Sequence, residues 1–308
     1  MVLAEENEIK QLKKYLKESR IPQKLNKLNL DKHNLQFIKS KYIGIIISNE
    51  NLITEADFTK LKKFDVNGLQ IKSKISWCEN VMQRIPGELI KGSEILSKDF
   101  LKNPNRLMHI IKRAGDISLS ILLLILTSPI LLISSILIWL TDRGPIFYSQ
   151  IRSGYRGKTF RVWKLRSMQV NAEKDSNPIW ASKNDPRITK VGAILRKSRI
   201  DELPQLINVI NGSMSLIGPR PERPEIEKTL TKKIKNYEIK NYVKPGLSGW
   251  AQVNYPYGAS ILDSKIKISF DIFYIKNQST LLDILILLKT IRMVFNLKGS
   301  EPLEQNNN

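Results

Sequence analysis

The sequence has one cysteine, Cys78, and only two histidines, His33 and His109, in 308 residues. A lone thiol cannot close an intrachain disulfide, which fits a reducing, cytoplasmic setting. With one Cys and two distant His, a zinc site of the usual kind is not expected. Acidic residues are scarce: 29 Asp+Glu stand against 50 Lys+Arg, a formal net charge of +21. Such a surplus points to an anionic partner, whether nucleic acid, anionic lipid or a phosphorylated substrate. The opening "MVLAEENEIK" is polar and acidic, so no secretory signal is expected there. What is plentiful is apolar: 42% of residues are hydrophobic, too many for a disordered chain, and the length leaves room for about two domains.

Three segments are expected. Residues 1–40 read as a polar, Lys-rich helical piece with Leu at rough helical spacing. Residues 41–105 read as a small α/β module. In it "YIGIIIS" from Tyr42 is a buried strand, "EADFTKLKKF" a helix and "VNGLQIKS" a second strand, a βαβ-like unit without a Gly-rich phosphate loop. Residues 106–308 hold everything that points to chemistry.

Within that third segment, Ile117 to Leu140 is an uncharged apolar run, long enough to cross a bilayer core of ~30 Å. Ser128-Pro129 lies near its middle. Proline removes a helical hydrogen bond there and predicts a kink, with Ser128 placed to bond a freed carbonyl. Both flanks are basic, with Lys112 and Arg113 before and Arg143, Arg152, Arg156 and Lys158 after. Positive flanks favour the cytoplasmic side, so a helix that bends and leaves by the face it entered meets both facts. Kinked spanning helices are also common, so the choice between the two stays open. "LLDILILLKTIRMVF", Leu281 to Phe295, is too short and too charged to span. It suits an amphipathic helix in the interface, with Lys289 and Arg292 toward lipid headgroups, or one packed on a core.

Between these lie the reactive groups. "QIRSGYRGKTFRVWKLRSM" alternates apolar and basic residues around Gly154 and Gly157, which predicts strands that present Lys164 and Arg166. "ITKVGAILRKSRI" has helical apolar spacing and carries Arg196, with Arg187 just before it. In "SRIDELPQL" a second helix is expected to start at Asp201, because Pro204 is tolerated only in a first turn. Asp201 would be its N-cap and Glu202 its first residue, and the helix dipole with nearby arginines would keep Asp201 ionised. A capping Asp alone explains the pattern. The same carboxylate can also attack phosphorus, with Glu202 holding a cation such as Mg²⁺. "GPRPE" brackets Arg220 with Pro219 and Pro221, which stiffen a loop around a phosphate-binding side chain. "VKPGLSGWAQVNYPYGAS" reads as irregular.

These stretches in this order resemble the bacterial sugar transferases, the polyprenyl-phosphate glycosylphosphotransferases, over about Lys112 to Lys298. "NYPYGAS", where small members often carry Asn-Gly-Arg-Asn, is closer to the exopolysaccharide type. The resemblance implies an α+β, monotopic membrane protein on the cytoplasmic face of the inner (plasma) membrane. It would have a kinked re-entrant helix bent at Ser128 and Pro129, a small cytoplasmic catalytic domain and interfacial amphipathic helices. The module near Tyr42 to Ser73 would be a partial Rossmann-like remnant. The implied reaction moves sugar-1-phosphate from a nucleotide-diphosphate sugar, usually a UDP-sugar, to undecaprenyl or another polyprenyl phosphate. Asp201 would be the nucleophile and Glu202 would help bind Mg²⁺. Arg196 and Arg220, then Lys164, Arg166 and Arg187, would bind phosphates. Implied partners are membrane lipids, a second copy of the chain and other glycan-assembly enzymes, and no nucleic acid. A non-catalytic membrane scaffold with the same fold is the alternative. No motif names the sugar.

Overall fold

In the computed structural model, residues 1–19, 21–30, 38, 41–48, 53–96, 106–170, 172, 185–256, 258 and 260–296 are described. Tyr257 and Ala259 of the "NYPYGAS" stretch and part of the expected N-terminal segment lie outside them. The chain forms two compact units, Met1–Ile85 and Pro86–Asn308.

The first unit is a three-stranded parallel sheet in the order β1 (Val2–Leu3), β2 (Gly44–Ile47), β3 (Gln70–Ser73). The βαβ-like reading holds: helix Glu55–Val66 joins β2 to the parallel β3. That helix starts where expected because Thr54 and Asp57 form a capping box, each side chain bonded to the other's backbone N–H. A polar helix, Glu6–Glu18, follows β1. Apolar faces converge on a core of Leu28, Ile45, Leu61, Phe64 and Leu69. A parallel strand is buried on both faces, hence the unbroken Ile45–Ile47 run.

The second unit is dominated by one helix, Arg106–Asp142, of 37 residues and about 55 Å. It holds a window of mean hydropathy 2.7, 11% of it buried, and is long and apolar enough to cross a membrane. The helix runs unbroken through Pro129. Pro129 leaves the Ile125 carbonyl without its usual donor, and the Ser128 hydroxyl donates to that carbonyl at 2.8 Å, as expected.

The basic residues before the apolar run are bound by the protein itself. Lys112 pairs with Asp283 of the C-terminal helix at 2.7 Å and reaches Tyr274 Oη and the Ile217 carbonyl. Arg113 donates to the Val209 and Ile210 carbonyls at 2.5 and 2.7 Å, covering the end of helix Leu206–Ile210. Asp116, buried, accepts from Ser215 Oγ at 2.7 Å and Leu216 N–H at 3.2 Å. Together they lock the start of the long helix to β6 (Ser215–Ile217), which pairs in parallel with β7 (Gly246–Ser248). The far end of the same helix is held by the same unit. Ile138 packs with Leu165 and Leu195, and Asp142 pairs with Arg166. Asp116→Ala would strand two buried donors, so a loss of about 1–3 kcal/mol is expected in thermal melts of the detergent-extracted protein.

The expected basic strands form an antiparallel hairpin, β4 (Phe147–Ser153) and β5 (Thr159–Leu165), that turns through Gly157 at φ 73°. Helix Lys190–Lys197 follows, capped by Thr189. It lies so close to the chain after β5 that a Cβ on Gly192 would fall 1.9 Å from the Ser167 carbonyl oxygen. Helices Pro224–Lys233, Ile261–Lys276 and Thr280–Phe295 complete the unit. "VKPGLSGWAQVN", expected to be irregular, instead holds β7 and the short helix Trp250–Asn254, in which Trp250 is buried and stacks on Phe273 at 5.7 Å.

The C-terminal helix is amphipathic, and Leu281, Leu288, Ile291 and Phe295 are exposed. Its two basic residues do not act as a headgroup pair. Lys289 turns inward, with Nζ 4.3 Å from the Trp250 ring centre, and donates to Asn254 Oδ1 at 2.8 Å.

Candidate active site

The acid pair is not at an α-helix N-cap. The chain turns at Arg199, whose φ is 61°, and enters a 3₁₀ helix, Ile200–Gln205, before helix Leu206–Ile210. Asp201 and Glu202 sit inside this 3₁₀ helix, which packs against β5 and leaves both residues 7% exposed. The tight winding accepts Pro204 because few N–H partners are needed there.

Glu202 is the hub. Its Oε1 lies 3.1 Å from Lys164 Nζ and 2.6 Å from Arg220 Nη2. Its Oε2 lies 3.4 Å from Arg199 Nη1 and 3.4 Å from Arg220 Nη1. Arg220 thus grips the carboxylate with both prongs of its guanidinium. Burial alone would raise the carboxyl, but Arg220, Lys164 and Arg199 outweigh it and hold it well below its ordinary value. The same burial lowers the Lys164 ammonium, an effect partly offset by Glu202.

Asp201 has the opposite environment. Burial, then the charge of Glu202, push its carboxyl from 3.8 up to about 6, against the pull of Lys164, Arg196 and Arg199. This corrects the expectation of a dipole-stabilised carboxylate: a 3₁₀ helix of 6 residues has little dipole to offer. Two adjacent acids are therefore pushed in opposite directions, Glu202 down and Asp201 up.

The loop around Arg220 is anchored on both sides. The Pro219 carbonyl accepts from Gly246 N–H at 2.9 Å, and the Pro221 carbonyl accepts from Arg152 Nη1 at 3.2 Å. A Cβ at Gly218 would fall 2.3 Å from the Lys244 carbonyl oxygen, so the loop can cross β7 only there. The geometry brings Asp201, Glu202, Lys164 and Arg220 together, with Arg196 acting on Asp201 through its field. Arg166 and Arg187 each pair with an acid outside the Asp201–Glu202 pair. Arg166 turns to Asp142, and Arg187 pairs with Asp185 at 2.5 and 2.8 Å, holding that carboxyl down to about 2. Two contributors were missed. Arg199 sits three residues before Glu202, a spacing that could have flagged it. Arg152 lies 3.6 Å from Glu222, with no local signal for that contact.

Among the described residues no group of three or more His, Cys, Asp or Glu gathers to cage a metal ion. Asp201 and Glu202 do offer hard oxygens, and Mg²⁺ commonly takes one or two carboxylates and completes its shell from phosphates and water. The donor set fits an ion that arrives with a diphosphate better than a resident one.

The bacterial sugar transferase family model matches residues 107–297. A UDP-N-acetylgalactosamine-undecaprenyl-phosphate N-acetylgalactosaminephosphotransferase of Aeromonas hydrophila is 44% identical over 191 residues, covering 62% of this chain and 45% of that protein. A UDP-glucose:undecaprenyl-phosphate glucose-1-phosphate transferase of Escherichia coli is 42% identical over 193 residues, covering 62% of this chain and 41% of that one. The chain thus spans less than half the length of these two relatives. The exopolysaccharide production protein ExoY of Sinorhizobium fredii, 38% identical over 203 residues, is covered over 87% of its length. The matched segment holds the long helix, the hairpin and the acid pair with its cations, and the chain belongs to the bacterial sugar transferase family.

Proposed function

We propose that this chain transfers a sugar-1-phosphate from a UDP-sugar to a polyprenyl phosphate such as undecaprenyl phosphate, a first step in building a surface or exopolysaccharide glycan. The observation that carries this reading is the buried acid pair, in which Glu202 gathers Lys164, Arg199 and Arg220 beside Asp201. The names of the two relatives above, which pair UDP-sugars with undecaprenyl phosphate, support the substrate classes.

In this mechanism the Asp201 carboxylate attacks the sugar-bearing phosphorus. The bond from that phosphorus to the oxygen bridging the two phosphates breaks, and UMP leaves with the electron pair. A phosphate oxygen of the lipid then attacks the aspartyl-bound phosphorus and breaks the Asp201 Oδ–P bond. The products are a lipid diphosphosugar and a regenerated carboxylate. Lys164, Arg199 and Arg220 are placed to exchange Glu202 for phosphate oxygens as charge builds on them. Glu202 would help hold Mg²⁺, which when bound would neutralise diphosphate charge.

The chain is read as monotopic on the cytoplasmic face of the inner membrane, with the long helix re-entrant at Ser128-Pro129. Support comes from the one unit that holds both Asp116, just before the apolar run, and Ile138, near the end of it. A straight span would carry those two residues toward opposite faces. The parallel sheet of Met1–Ile85 supports reading that unit as a partial Rossmann-like module. A homodimer and docking to other glycan-assembly enzymes are further expectations of the same reading.

The test is release of UMP from a panel of UDP-sugars, with undecaprenyl phosphate and Mg²⁺, by membranes containing the protein. Since only the ionised Asp201 attacks, turnover should fall about tenfold per pH unit below about 6 and level off above it. A rate that is flat from pH 4.5 to 7.5 would refute Asp201 as the group in control.

A further inference from the structure

A groove of about 420 Å³ lies between the turn end of the β4–β5 hairpin and helix Pro224–Lys233. That volume is in the range of small-molecule sites, about 300–1,000 Å³. Ser153 and Thr159 line one side, and Glu227, Lys228, Thr231 and Lys232 the other. Glu227 is only 8% exposed. Its Oε1 accepts from Asn241 Nδ2 at 2.5 Å, whereas Oε2 is buried and has no hydrogen-bond partner among the described residues. A bare carboxylate oxygen inside a protein is costly and calls for a donor.

The groove adjoins the proposed phosphate site. Ser153 N–H donates to the Glu222 carbonyl at 2.9 Å, and the neighbouring Arg152 lies 3.6 Å from the Glu222 carboxylate. Glu222 is two residues beyond Arg220, which grips Glu202. A donor whose diphosphate rests on Arg220 and Arg152 therefore has its next polar part at the groove mouth. Hydroxyls are the natural donors to a bare carboxylate oxygen, as an acidic side chain binds a ribose diol in dinucleotide sites. Lys228 and Lys232, one helical turn apart, offset the carboxylate's repulsion of the nearby phosphates.

We propose that this groove binds a hydroxyl-bearing ring of the nucleotide-sugar donor, with Glu227 Oε2 accepting from the ring's hydroxyls. The inference rests on the transferase reading. Two rings carry that chemistry, the ribose and the transferred sugar, and a substrate comparison separates them.

Glu227→Gln keeps the acceptor for Asn241 and puts an NH₂ where the bare oxygen stands. Thr231→Trp, on an exposed position, fills the groove and leaves the Glu227–Asn241 bond alone. Both variants are expected to raise KM for the UDP-sugar about tenfold with kcat within about twofold of wild type. Inhibition by UDP, which carries the ribose but not the transferred sugar, should weaken equally if the ribose occupies the groove. It should be unchanged if the sugar does. Because Thr231→Trp does not depend on the buried acid, a misfolded Glu227→Gln protein would leave the question answerable. Unchanged KM and UDP inhibition in folded variants would overturn the groove assignment alone. Absence of UMP release by wild type from every UDP-sugar would overturn the transferase reading, and this inference with it.

Discussion

Asp201→Asn should cut UMP release by at least about a thousand-fold and, in the same protein, raise thermal stability. The first effect follows from the loss of the attacking oxygen. The second follows from the sign of its titration. An acid whose carboxyl is raised in the folded state, here from 3.8 to about 6, holds its proton more readily folded than unfolded. Ionising it at neutral pH therefore costs stability, on the order of 2–3 kcal/mol, since a tenfold change in proton affinity is worth about 1.4 kcal/mol. Asn carries no charge and escapes that cost. The gain over wild type should be full above pH 6, shrink as pH falls, and vanish below 3.8, where the wild-type acid is protonated in both states. Paired melting curves at pH 7.5 and pH 5 check this, beside the UMP assay. A variant that melts lower than wild type at pH 7.5, or one that still turns over, would remove the burial argument or the nucleophile.

Much of this was legible because it is local. A β-branched run and a long uncharged stretch each announce their element without help from distant residues. Ser128-Pro129 also carried its own answer, since the carbonyl that Pro129 frees and the hydroxyl that takes it are three residues apart. What was hidden is long-range. Lys112 reads as a membrane-flanking charge until its partner, 171 residues away, is in place. Lys289 reads as a headgroup anchor until Trp250 is brought beneath it. The acid pair was recognised, but its local form was not. Asp201 and Pro204 satisfy the rules for an α-helix start, while the chain instead turns through a left-handed Arg199 into a 3₁₀ helix. That choice is favoured by partners 38 and 18 residues away, Lys164 and Arg220, which draw Glu202 inward. The two carboxylates then lie in different electrostatic settings, which sequence spacing cannot reveal.

That contrast predicts the opposite outcome for the neighbouring acid. Glu202→Gln should destabilise the protein by about 3–5 kcal/mol, the usual result of removing one member of a buried ionic cluster. Lys164, Arg199 and Arg220 would face one another without their common anion, and the new NH₂ would add a donor where only donors remain. Removing Arg220 as well relieves one of the stranded charges. The double variant Glu202→Gln/Arg220→Gln should therefore lose less than the sum of the single losses, with a coupling of about 1–3 kcal/mol in a double-mutant cycle. Activity should drop with stability, since the cations that would meet the phosphates are no longer held in register. Any residual turnover should persist to lower pH than in wild type. Glu202 is the second cause of the raised Asp201 carboxyl, so its removal lets that acid ionise earlier. Additive stability losses across the cycle would show that the four side chains do not act as one unit. The hub role assigned to Glu202 would then fail, even if Asp201 proved to be the nucleophile.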